Sequence, residues 1–113
     1  MNTATEQLLD EMVQAIVQEI DPEQIYLFGS HARGTARPDS DVDLLIIASE
    51  SFGAGHSRFQ KINRIYQALS SFRVSTDVLL YASEEFAKWQ HSRNHVVGRC
   101  YRAGKLLYVR PRA

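Results

Sequence analysis

The chain has 113 residues, 13 Lys+Arg against 13 Asp+Glu, and 44% hydrophobic and 23% charged residues. Those values suit one folded domain over residues 1–113 and exclude a disordered tail, a collagen-like fibre and a coiled-coil rod. No apolar run approaches the ~20 residues of a membrane helix, and a lone cysteine, Cys100, excludes an internal disulfide and a Cys-rich zinc site.

Residues 1–10 carry no positive charge and no apolar block, so no secretory signal is expected. With the single cysteine this points to a reducing cytoplasm. The zero net charge hides a gradient. Residues 1–32 hold six acids and no Lys or Arg, whereas residues 85–113 hold seven basic residues and one acid. A neutral chain with a basic end does not read as a general nucleic-acid binder, although it offers a local surface to a phosphate or an acidic partner.

Thr3-Ala4-Thr5-Glu6 has the form of a capping box. Leu9, Met12, Val13, Ile16, Val17 and Ile20 then recur at helical spacing, and Asp21-Pro22 ends the helix, because a residue before proline avoids helical geometry. Ile25 to Phe28 reads as a short buried strand, followed by a loop over Gly29 to Ser40. Asp41 to Ala48 is a second strand, apolar enough to be buried on both faces. A Gly53/Gly55 loop follows, then a helix through Phe59, Ile62, Ile65, Tyr66 and Leu69. Val74 to Tyr81 is a third strand. Ser83 is placed to cap a helix carrying Phe86 and Trp89, which read as core. A last helix through Val96, Val97, Cys100 and Tyr101 ends near Gly104 as a left-handed cap, with Leu106 to Val109 as a closing strand. The order predicts an α/β (α+β) fold, a small mixed sheet flanked by helices.

The stretch that carries chemistry runs from Gly29 to Leu44. A glycine where a buried strand ends lets the backbone turn sharply and lets a ligand approach it. Ser30 offers a hydroxyl and an N–H there, and a helix starting after Gly29 would turn free donors toward an anion. Asp41 and Asp43 are two apart on a strand, so both point to one face with α-carbons about 6.5 Å apart, while Val42 and Leu44 face a core. Two carboxylates held there repel and lose hydration, which is costly unless a cation lies between them, and hard oxygen ligands suit magnesium or manganese. Asp77 is an acid inside an otherwise apolar strand, and it joins the pair if the second and third strands are neighbours. Three carboxylates suffice for two divalent ions ~3.5–4 Å apart. Each feature alone is compatible with a solvated turn; the conjunction points to a site. No Gly-Lys-Ser/Thr follows the glycines, which excludes a P-loop.

Gly29-Ser30-x-Ala32-Arg33-Gly34, five residues, then Ser40-Asp41-x-Asp43-Leu44 resembles the signature of the polymerase β-type nucleotidyltransferase superfamily. The short chain and the Ala-Arg-Gly insert resemble its minimal branch, the MNT-domain antitoxins. The resemblance implies that Gly29 and Ser30 hold nucleotide phosphates and that Asp41, Asp43 and Asp77 are catalytic ligands of two Mg²⁺. Arg33 would be a phosphate or acceptor contact. It implies ATP as substrate and a HEPN-domain ribonuclease toxin as partner, with AMP transferred to a toxin tyrosine. The alternatives are an antitoxin acting by contact alone, or transfer to a tRNA end or a small-molecule hydroxyl. His31, His56, His91 and His95 read as surface or packing residues. His91 and His95 are four apart, but two ligands are too few for zinc.

Overall fold

The computed structural model describes residues 3–37, 40–53 and 57–111, and the side chains of residues 3–5 lie outside that description. The expected Thr3–Glu6 capping box, Asp39, Gly55 and His56 therefore fall outside the described residues. In chain order the elements are α1 (Thr3–Ile20), β1 (Gln24–Phe28), α2 (Gly29–Arg33), β2 (Val42–Ala48), α3 (Arg58–Leu69), β3 (Thr76–Ala82), α4 (Ser83–Trp89), α5 (Val96–Ala103) and β4 (Lys105–Val109).

Four strands form one mixed sheet in the order β3-β2-β1-β4. β1 runs antiparallel to β2 and to β4, and β2 runs parallel to β3. The parallel pair needs a crossover, which α3 supplies. Strand alternation splits the core in two. Ile25, Leu27, Val42, Leu44, Ile46, Val78 and Leu80 pack on the apolar stripe of α1 and on Ile65 and Leu69 of α3. On the opposite face Tyr26, Leu45 and Ile47 meet Phe86, Val97 and Cys100 of α4 and α5. β2 is therefore covered on both sides, which explains its unbroken apolar run.

α1 ends as expected. Asp21 turns into the left-handed region at φ 47° and Pro22 follows, buried. Four local readings are corrected. The stretch after Gly29 is not all loop, because residues 29–33 form the short helix α2. Ser83 is not a cap: Ala82 occupies the N-cap position, and its N–H donates to Glu85 Oε1 at 2.8 Å. Gly104 is not left-handed but extended (φ −80°, ψ 169°). It is required for a different reason: a Cβ there would overlap the Cys100 carbonyl and sit 3.0 Å from the Leu27 carbonyl, where the chain passes the end of β1. His91 and His95 lie between α4 and α5 rather than on one helix.

Arg58, at the start of α3, joins three elements. Its guanidinium donates to the Leu80 carbonyl at 3.1 Å and to Glu85 Oε2 at 2.7 Å, and it lies over the rings of Phe52 and Tyr81. Burial alone would raise the Glu85 pKa, but the Ala82 N–H, the Arg58 guanidinium and His95 together bring it below its ordinary 4.5. A lowered carboxylate pKa stabilises the fold fully above the unfolded value, and this is lost as pH falls through the folded one. Glu85→Gln should lower stability at pH 7 by ~1 kcal/mol, discounted for partial exposure. The difference from the parent in thermal unfolding should be full above the unperturbed glutamate value of about 4.3, begin to shrink there, and vanish only once pH has fallen through the lower folded value.

Candidate functional site

Register builds the site. Phe28 pairs with Asp43 across β1 and β2, and Asp43 pairs with Asp77 across β2 and β3. Val42 and Leu44 point into the α1 side, so Asp43 points to the other face, and the parallel register puts Asp77 beside it. Asp41 lies just before β2 and, two residues from Asp43, close enough for its charge to act on it. The expected neighbourhood of the second and third strands is thus observed.

Asp43 is half-buried, whereas Asp41 and Asp77 are exposed. Burial, then the charges of Asp77 and Asp41, then a hydrogen bond with Asp77 push the Asp43 pKa up, and His31 offsets part of the rise. Carboxylates this close repel each other, and a cation between them relieves that repulsion. Among the described residues no group of three His, Cys, Asp or Glu side chains is arranged, as it stands, to hold a metal ion. The donor set nonetheless fits a hard divalent ion: carboxylate oxygens only, one of them drawn from water and raised in pKa by its neighbours.

Gly29 follows β1 directly, at φ +73°. A Cβ at that position would overlap Asp43 Oδ2, so the turn and the carboxylate occupy adjoining space that only glycine leaves free. Ser30 is half-buried on the first turn of α2, and its carbonyl accepts from the Thr35 N–H at 3.0 Å. Gly34, left-handed at φ 75°, ends α2, leaving Arg33 exposed on its last turn. The turn and Asp43, with Asp77 in register beside it, therefore come together, and Arg33 is exposed at the end of α2.

His31 was expected to be a surface or packing residue, and that reading missed a contact. Its Nε2 lies 3.2 Å from the Ser40 carbonyl, next to Asp41. No sequence signal marks it beyond its place between Ser30 and Ala32. The other candidates behave as expected. His95 caps α5, its Nδ1 accepting from the Val97 N–H at 3.1 Å, and stacks on Trp89 at 4.5 Å. His91 meets Tyr101 edge-on. Phe86 stacks on Tyr26, and Cys100 is buried with its thiol pushed up to about 11 by burial. Arg99 and Arg102 bind the carbonyls of Asn94, Ser92 and Arg93, tying down the segment before α5. No helix among the described residues is long and apolar enough to cross a membrane.

The family model described as nucleotidyltransferase domain matches residues 9–100. MJ1305 of Methanocaldococcus jannaschii, assigned as a protein adenylyltransferase, is 54% identical over 43 residues, which is 36% of this chain and 29% of that protein. Three solved structures share the fold. One, from Sulfolobus solfataricus and assigned as a nucleotidyltransferase, has a TM-score of 0.58 at 19% identity, covering 97% of this chain and 90% of the other. A toxin–antitoxin with AMP-PNP gives 0.50 at 24%, covering 87% and 71%. A toxin–antitoxin MntA-HpeT carrying two Asp→Glu substitutions gives 0.52 at 20%, covering 88% and 72%.

Gly29 and Gly34 share a positive φ, but only Gly29 has a carboxylate where a Cβ would go. Gly34→Ala should cost the ~1–2 kcal/mol of the left-handed conformation alone. Gly29→Ala should cost more, because Asp43 must also move. Equal losses in thermal unfolding of the two variants would show that Asp43 does not pack against residue 29.

Proposed function

The chain belongs to the nucleotidyltransferase domain family, and on that premise we propose that it is a Mg²⁺-dependent protein adenylyltransferase. In this reading it transfers AMP from ATP to a tyrosine hydroxyl of a HEPN-domain ribonuclease toxin and acts as the antitoxin. One observation carries the proposal: Asp43 is in register with Asp77 and packed against Gly29, so acids and turn form a single site. Likeness to a protein assigned as a protein adenylyltransferase supports the acceptor class, and the fold shared with two toxin–antitoxin structures supports the partner.

Asp41, Asp43 and Asp77 would hold magnesium, which when bound neutralises charge on the triphosphate and eases deprotonation of the attacking hydroxyl. The chain's own groups do the remainder. Gly29 and Ser30 receive the β- and γ-phosphates, with no Cβ on Gly29 to keep them away. Arg33, exposed at the end of α2, would add positive charge toward the phosphates or the acceptor. The tyrosine oxygen attacks the α-phosphorus, a new O–P bond forms, the bond to the β-phosphate oxygen breaks, and pyrophosphate leaves. Asp77, exposed beside Asp43, takes the hydroxyl proton. Position and charge supply most of the catalysis.

The test incubates the protein with labelled ATP, Mg²⁺ and the product of the adjacent reading frame. Label should appear on that partner and be lost in Asp41→Ala plus Asp43→Ala. Neutralisation of the partner that survives those substitutions would replace transfer with contact alone, and label on tRNA would change the acceptor. Asp77→Asn should abolish transfer by at least ~10²-fold, the scale of losing a positioned acid–base group. In magnesium-free buffer it should leave the melting temperature unchanged or slightly raised, because one of two paired carboxylates becomes neutral. Full transfer by Asp77→Asn would remove it from the site.

A further inference from the structure

We propose that His31 is a positioning residue that clamps the Gly29-Ser30 turn to the segment carrying Asp41; the catalytic part of this inference rests on the nucleotidyltransferase reading above. α2 is only five residues long and contributes no fully buried side chain to the core. The chain then leaves the sheet and returns at Ser40, one residue before Asp41. Ser40 is already tied to Arg37, its N–H donating to the Arg37 carbonyl at 3.0 Å and its hydroxyl accepting from the Arg37 N–H at 2.8 Å. His31 closes this excursion. Its Nε2 meets the Ser40 carbonyl at 3.2 Å, nine residues along the chain. The bond thus joins the two arms of the site, one bearing the turn and the other the first acid.

The chemistry of the ring fixes its role. A carbonyl only accepts, so Nε2 carries a proton toward Ser40, and Nδ1 is the ring's other polar atom. That Nδ1 is shielded from solvent and has no hydrogen-bond partner among the described residues. A buried unpaired polar atom costs ~1–3 kcal/mol, so a ring selected for fold stability alone would be a poor choice here. Its benefit lies in the distance it sets. Displacing a catalytic group by about 1 Å can lower a rate ~10²-fold, because the site works by placement.

Glutamine carries an amide nitrogen at the reach of Nε2, whereas asparagine stops at the reach of Nδ1. His31→Ala and His31→Asn should therefore lose ~10- to 100-fold in kcat, with kcat/KM for ATP falling equally, and His31→Gln should recover most of the loss. Hydrogen exchange of the nucleotide-free protein gives a second readout independent of activity. The hydrogen-bonded amides of Thr35, Ser40 and Val42 should exchange faster in the Ala and Asn variants and at the parent rate in His31→Gln. Unchanged exchange in His31→Ala, or a Gln variant no better than Ala, overturns the clamp. A kcat loss that disappears wherever His31→Ala is fully folded reduces the residue to a structural one and also overturns it. A parent protein that exchanges as expected yet transfers no label defeats the nucleotidyltransferase reading and leaves the clamp standing.

Discussion

A half-buried carboxylate held against a side-chain-free backbone governs this molecule. Asp43 Oδ2 fills the volume a Cβ of residue 29 would need. That contact exists because β1 ends at Phe28, the register partner of Asp43, and the next residue turns away at positive φ. The sheet therefore delivers the turn and the acid to one point without help from a loop. Asp77 arrives by the same logic from the other neighbour of β2, through a parallel register rather than a hairpin. Burial, and after it the charges of Asp77 and Asp41, push the Asp43 pKa up, so the carboxylate's place beside the turn opposes folding locally.

The two faces of the sheet divide the work. Toward α1 and α3 the strands present a continuous apolar surface, which supplies most of the core. Toward α4 and α5 the smaller cluster of Tyr26, Leu45 and Ile47 is covered by Phe86, Val97 and Cys100, and the acids occupy the remaining end of that face. Arg58 secures the opposite end of β3, where it joins the Leu80 carbonyl to Glu85. Stability is thus concentrated away from the acids, which leaves their end open to a ligand.

In the proposed function a triphosphate needs a close-approaching backbone, positive charge and a cation-binding edge, which Gly29, Arg33 and the aspartates would supply. In the proposed clamp, His31 adds a direct link between the two arms through the Ser40 carbonyl. Membership of the nucleotidyltransferase domain family is what points to phosphorus chemistry, and the crowded carboxylates are compatible with the proposed cation.

Residue types and spacing were enough to determine the layered fold class and the strand identities, because periodicity and turn chemistry are local properties, although Asp41, read as the first residue of its strand, lies just before β2. They also marked Gly29 and Asp77 as unusual. They did not determine why Gly104 is a glycine, since the carbonyls of Cys100 and Leu27 that exclude a side chain come from α5 and β1. Nor did they determine the replacement of Ser83 by the Ala82–Glu85 cap, or the bond from His31 to Ser40. The pairing of Asp43 with Asp77 was conditional on strand order, and only the tertiary structure decided it, because hydrogen bonding between distant strands sets which side chains become neighbours.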